Sequence, residues 1–124
     1  MTDPATLARW TVRVSGLVLL VLGAAIWTGN ADALIGIHMF VGLVLVLALW
    51  TLAATAYRAG VSPTFVLLAA AWGVLMPALG VAQENLLEGD SHWVVEVAHL
   101  AIGIVAIGLG EMLGAAARSR DLRA

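Results

Sequence analysis

Long apolar runs separated by short polar connections make up almost the whole chain. Each run can cross a bilayer, because a hydrocarbon core about 30 Å thick needs roughly 20 mostly apolar residues in a helix. The runs cover about residues 9–28, 33–57, 63–82 and 93–117. The connections carry turn and cap residues, and Ser62-Pro63 is a start signal for the third helix. The pattern therefore predicts an all-α protein made of a single four-transmembrane-helix up-down bundle.

The composition changes the picture by excluding other classes of protein. Hydrophobic residues make up 62% of the 124 residues and charged residues only 11%, against about 25% charged in a typical soluble domain. So few charges cannot cover a soluble enzyme of this size or form the basic surface of a nucleic-acid-binding protein. The chain has no cysteine, which excludes disulfides and thiolate metal sites. Membrane lipid is the expected surrounding, and no nucleic-acid partner is expected.

The arginines predict the orientation in the membrane. In an up-down bundle all of them fall at one end, and they are Arg9, Arg13, Arg58, Arg118, Arg120 and Arg123. The loops at the other end carry acidic residues instead, namely Asp32, Glu84, Glu88 and Asp90. The positive-inside rule then predicts a multi-pass protein of the cell inner membrane with both termini cytoplasmic. Arg13 and Glu111 lie at similar depth near the cytoplasmic end, so we expect an ion pair there, with a proton path as the alternative.

The first apolar run has a second interpretation, a cleaved signal peptide. Arg9 and Arg13 precede the run, and Ala31-Asp32-Ala33 fits a small-residue cleavage site. Cleavage would leave three spans. It would also break an internal repeat, so the sequence favours four spans.

The repeat is centred on two histidines. The second span contains His38-x-x-x-Gly42 and the fourth contains His99-x-x-x-Gly103, each followed by two branched apolar residues. The preceding spans align more loosely, residues 22–25 with residues 79–82. The chain therefore resembles two copies of one helical hairpin.

The histidines predict a cofactor site. Both spans run inward from the outer side, so at 1.5 Å per residue each histidine lies roughly 7–9 Å below the outer interface. Imidazole is a standard axial ligand of haem iron, and a glycine one turn on leaves room for a flat macrocycle. The pattern predicts one b-type haem bound by His38 and His99, with Gly42 and Gly103 making room. The alternatives are histidines hydrogen-bonded across the bundle and glycines that mediate plain helix contact.

Two further polar residues share the face of the fourth span that carries His99. Glu96 lies about one turn above His99, and His92 lies at the water boundary. Glu96 is a candidate proton acceptor, and His92 is a loop residue or a contact for a haem propionate or a quinol headgroup. Other hypotheses are a non-haem metal bound by His38, His99 and Glu96, a weaker di-metal site, and His/Met haem ligation through Met76.

The segment from Glu96 to Gly103 resembles the Glu-x-x-His-Arg-x-x-Gly segment of heme A synthases. Those proteins consist of two four-helix halves with histidines on the second and fourth helices of each half. The resemblance covers essentially the whole chain as one half, and it implies that His99 and His38 ligate haem and that Glu96 takes part in catalysis. Here Leu100 replaces the arginine, and the motif lies on the fourth helix instead of the second. The chain is also similar to small b-type cytochromes of the membrane.

These observations predict a haem protein that transfers electrons, with a quinol or another molecule as redox partner. If the chain is an enzyme, we expect an oxidoreductase. The alternative of another class is a small transporter or a non-redox assembly subunit. Small residues form a stripe along the fourth span, from Gly103 through Ala106, Gly110 and Gly114. Such a stripe permits a homodimer.

Overall fold

Four long α-helices form the bundle in the computed structural model, which describes residues 3–29 and 32–123. The helices are α1 (Pro4–Trp27), α2 (Ile35–Arg58), α3 (Pro63–Ala82) and α4 (His92–Asp121). Short 3-10 turns cover Asp32–Leu34, Gln83–Asn85 and Gly89–Ser91, and these described residues contain no strand. The predicted all-α four-helix bundle is confirmed.

The helix ends follow local signals in the sequence. α1 begins at Pro4, earlier than predicted, because the Asp3 carboxylate accepts a hydrogen bond of 3.2 Å from the backbone N–H of Thr6. The turn after α2 needs Gly60, whose φ of 78° disfavours other residues. α4 continues past residue 117 to Asp121 as an exposed polar helix. The proposed cleavage site and the first connection lie partly outside the described residues.

The helices pack so that α2 and α4 meet across the bundle. α2 contacts all three other helices, and α4 also contacts α1 and α3. α1 and α3 therefore lie on opposite sides of the α2–α4 pair. The repeat predicts that α2 and α4 are equivalent helices. Side chains of α2 that point toward α4 therefore meet side chains of its equivalent helix.

The outside of the bundle is apolar. Leu17, Phe40 and Leu67 are each more than 60% exposed, and all four helices are long and apolar enough to cross a membrane. Lipid can cover such a surface, whereas water would leave it unfavourably exposed. The chain is a multi-pass membrane protein. Trp10, Trp27 and Trp93, near the ends of the helices, are all exposed, as is common for tryptophans at membrane interfaces.

Burial is concentrated in one half of the bundle. We call this the arginine half, and it comprises residues 4–16, 45–58, 63–76 and 106–121. The histidine half comprises residues 17–27, 35–44, 77–82 and 92–105. Leu49, Leu52 and Leu113 are fully buried in the arginine half. Among the described residues of the histidine half, Val95 alone is buried.

The arginine half also contains an ion-pair cluster. Arg13 contacts Glu111 through Nε at 2.6 Å and through Nη2 at 2.9 Å, which confirms the predicted pair. Arg9 adds two contacts to the same carboxylate, from Nε and Nη2, both at 2.9 Å. Both carboxylate oxygens of Glu111 therefore accept charged hydrogen bonds, which tie α1 to α4.

Candidate functional site

The two histidines face each other across the centre of the histidine half. The ring of His38, on α2, and the ring of His99, on α4, have centroids 6.2 Å apart and planes inclined at 48°. Both side chains are half-buried. The structure thus brings together the two residues that the sequence predicts as a pair, because α2 and α4 meet directly and the histidines lie at the same level.

Each histidine ring packs on a glycine of the preceding helix. A Cβ added to Gly23 of α1 would lie 3.6 Å from Cε1 of His38, and one added to Gly80 of α3 would lie 3.2 Å from Cε1 of His99. Gly23 and Gly80 occupy matching places in the loosely aligned segments of the repeat. The two hairpins therefore share a contact as well as a sequence pattern.

The histidines lack hydrogen-bond partners where they are most buried. Nδ1 of His38 and Nδ1 of His99 are both inaccessible and unpaired among the described residues. The predicted alternative, histidines hydrogen-bonded across the bundle, requires a contact that these residues do not make. Buried polar atoms in folded proteins are almost always paired with protein, water or a ligand. Neither buried Nδ1 atom therefore has a protein hydrogen-bond partner among the described residues.

Open space lies beside the two glycines of the repeated motif. Gly42 lies on the same helical stripe as the buried Leu45 and Leu49, and Gly103 lies on the stripe of Ala106. A Cβ added at Gly42 or Gly103 would meet no atom within 4 Å. Both positions are therefore turned toward the bundle interior without touching a neighbouring helix.

Four other glycines mediate close helix contact in the arginine half. A Cβ on Gly73 would lie 2.5 Å from Nε1 of Trp50, and one on Gly114 would lie 2.8 Å from Cδ of Arg9. Gly16 and Gly110 are packed in the same way. The explanation of glycine as a packing residue thus holds for these four and does not account for Gly42 and Gly103.

The two polar residues near His99 have different surroundings. His92 is the first residue of α4, where the sequence suggested a loop, and its Nδ1 donates a hydrogen bond of 3.2 Å to the carbonyl oxygen of Leu86. Glu96 is half-buried on the next turn and makes no hydrogen bond or ion pair within residues 3–29 and 32–123. His92 therefore fixes the loop before α4, and Glu96 retains its carboxylate for another partner.

The part of the chain that the structure describes assembles no metal site of three protein ligands. Among the described residues, no three His, Cys, Asp or Glu side chains lie close enough together to hold one metal ion. This finding does not support the site of His38, His99 and Glu96 or the di-metal site. Met76 belongs to the buried apolar core of the arginine half, which agrees with packing instead of ligation.

Sequence reasoning missed three contacts near the site. It aligned Gly23 with Gly80 but did not connect either residue with a histidine. It also gave no partner for Trp72, whose Nε1 donates a hydrogen bond of 2.9 Å to the carbonyl oxygen of Ile102. The repeat was a signal for the two glycines, while the indole bond left no trace in the sequence.

Comparison with known proteins does not identify a relative. The chain matches no protein-family model, no curated protein and no solved structure. The function therefore has to be argued from the site itself.

Proposed function

We propose that the chain is a membrane haem protein in which His38 and His99 are the axial ligands of one b-type haem, and that it transfers single electrons. The distance between the two rings carries the proposal. Because a metal–imidazole bond is about 2 Å long, two rings that ligate one ion from opposite sides have centroids roughly 6 Å apart. The centroids of His38 and His99 are 6.2 Å apart. The spacing thus fits one ion between the rings.

The number of protein ligands favours haem over a bare metal ion. A bare zinc or iron site needs three or four protein ligands, whereas a porphyrin supplies four nitrogens and leaves two axial positions for the protein. The described residues provide two histidines and no third ligand beside them.

The space around the histidines supports the same proposal. A macrocycle is wider than a side chain, so it needs a region where helices leave the interior unfilled. The histidine half buries little besides Val95, and Gly42 and Gly103 face open space. These glycines would let the ring approach the backbone of α2 and α4. The heme A synthase-like segment from Glu96 to Gly103 agrees with haem binding.

The bound haem would supply one-electron redox chemistry, and the protein residues would place it. His38 and His99 would hold the iron between α2 and α4. Glu96, half-buried and without a protein partner, is the candidate acceptor for the proton that a quinol releases on oxidation. His92, at the start of α4, is close in sequence to this position and is a candidate contact for a propionate or a quinol headgroup.

The distribution of charge supports the proposed location. All six arginines lie at the end of the bundle that holds both termini, while Glu84, Glu88 and Asp90 lie at the other end. By the positive-inside rule, the arginine end would face the cytoplasm of a cell inner membrane. The haem would then lie near the outer face, where an external redox partner has the shorter path to it.

An absorption spectrum tests the proposal. The full chain is purified in detergent, with and without added haem, beside His38→Ala, His99→Ala and the control Met76→Leu. We expect a Soret band and a reduced α band in the wild type and in the control, with the band lost or shifted in both histidine variants. A colourless wild type that gains no band with haem would refute the proposal and support a transporter or assembly subunit.

A further inference from the structure

The two histidines are held in different ways, although the repeat makes them equivalent in sequence. His99 lies well inside α4, and the buried Val95 precedes it by one turn. His38 lies in the first turn of α2, where the cap residue Leu34 makes no side-chain hydrogen bond. Helix ends open at a lower free energy than helix interiors, especially where few apolar contacts hold them.

The helix that carries His99 is also tied to its neighbour close to the site. The indole N–H of Trp72, on α3, donates to the carbonyl oxygen of Ile102, which lies one turn after His99. The first side-chain bond from α2 to another helix is made by Trp50, far from His38, to the carbonyl of Ala70 at 3.1 Å. α4 is therefore braced beside its histidine and α2 is not.

The packing around His38 is also looser than the packing around His99. In the histidine half α2 has no buried residue before Leu45, so nothing buried holds the turn that carries His38. His99 packs more closely on its glycine than His38 does, with 3.2 Å to a Cβ on Gly80 against 3.6 Å to one on Gly23. Moving His99 would therefore disturb a closer contact with the preceding helix than moving His38 would.

We infer that the two axial ligands are unequal: His99 keeps its place, and His38 is the ligand that leaves, so that a small neutral molecule such as carbon monoxide can bind the iron on the α2 side. This inference rests on the proposed function. With a haem bound, His38 would be the residue that releases the iron, as a neutral imidazole that keeps its electron pair, and the incoming molecule would supply an electron pair in its place. No electron is transferred, so the exchange needs no added oxidant or reductant.

The first test uses the haem-loaded, reduced protein and carbon monoxide as the probe. We expect His38→Ala to retain haem with a shifted Soret band and to bind carbon monoxide at least about tenfold faster than the wild type, because no ligand has to leave first. We expect His99→Ala to lose at least about tenfold in haem affinity. Haem loss of equal size in both variants, or the reverse order, would overturn the inference and leave the proposed function standing. A wild type without a Soret band would overturn both.

The second test uses only the wild-type protein, so its result does not depend on whether the histidine variants fold. Amide hydrogen exchange is followed in the wild-type protein, first without haem and then with it. We expect residues 35–41 to exchange at least about tenfold faster than residues 96–102 in both states, because the first turn of α2 opens more readily. Equal protection of the two segments, or faster exchange around His99, would contradict unequal ligands even if haem binds.

Discussion

The two halves of the bundle are both mostly apolar, but they differ in how much of their surface is buried and in whether their polar groups are paired. The arginine half buries Leu49, Leu52 and Leu113 completely, and its charged residues Arg9 and Glu111 are paired. The histidine half buries Val95 and leaves the Nδ1 atoms of its histidines unpaired. A packed region with satisfied polar groups stabilises a fold, whereas open space and unpaired groups cost free energy. The difference indicates that the arginine half contributes most of the packing that holds the bundle together.

The internal repeat makes this contrast sharper, because each hairpin contributes to both halves. Trp50 follows His38 at the same interval along the chain as Glu111 follows His99. Trp50 bonds to the carbonyl of Ala70 on α3, and Glu111 pairs with Arg13 on α1. These junctions are equivalent in the repeat, yet one is neutral and the other ionic. The two hairpins therefore differ in chemistry in the arginine half, while their histidines and the glycines beside them match.

The largest effect on stability is expected in the arginine half. Leu49→Ala removes a side chain that is 0% exposed, so it should lower the free energy of unfolding by about 2–5 kcal/mol. Leu47→Ala is the matched control on α2, because Leu47 is 51% exposed to the lipid side. Unfolding of both variants in mixed micelles by added SDS measures the difference. Similar losses for Leu47 and Leu49 would mean that this half is not the core.

A smaller loss is expected where a glycine mediates helix contact. Gly73→Ala would place a Cβ 2.5 Å from Nε1 of Trp50. The indole must then move and its bond to Ala70 must weaken, at a cost of about 1–3 kcal/mol. Gly108→Ala is the control, since it is exposed with no atom within 4 Å of the added Cβ, and it should stabilise α4 by about 0.5–1 kcal/mol. The same SDS titration measures the loss of stability in Gly73→Ala and the gain in Gly108→Ala. A Gly73→Ala variant that is more stable than the wild type would contradict the contact between Gly73 and Trp50.

Much of the fold is predictable from the sequence, because hydropathy alone sets the number and length of the spans. The predicted third helix has the bounds of α3, Pro63–Ala82. The pairing of Arg13 with Glu111 was predictable from their common depth. The burial of individual leucines was not, since Leu43 and Leu45 have the same hydropathy although one is 55% exposed and the other 1%. In a membrane protein both core and lipid-facing positions are apolar, so composition does not separate them.

The candidate site was predictable in part for a related reason. The repeat places His38 and His99 at one level, and this needs only the count of residues along two helices. The contact of each histidine ring with Gly23 or Gly80 depends on how neighbouring helices are rotated and shifted relative to each other. The packing of the helices determines that arrangement. The same holds for the bond from Trp72 to Ile102. Contacts within one helix can be read from spacing, while contacts between helices need the structure.

The smallest effect on stability is expected when larger side chains are introduced into the histidine half. This prediction is the strictest test of the difference between the halves. Gly42→Leu and Gly103→Leu introduce side chains where no atom lies within 4 Å of the added Cβ, so they should change the free energy of unfolding by less than about 1 kcal/mol. If that space accepts the macrocycle, both variants should nonetheless lose the Soret band. Gly36→Leu and Gly108→Leu are matched controls on α2 and α4, exposed and equally free of neighbours, and they should keep it. Variants at Gly42 and Gly103 that fold and still bind haem would show that the open space serves another purpose, whereas variants as unstable as Gly73→Ala would show that this half is packed after all.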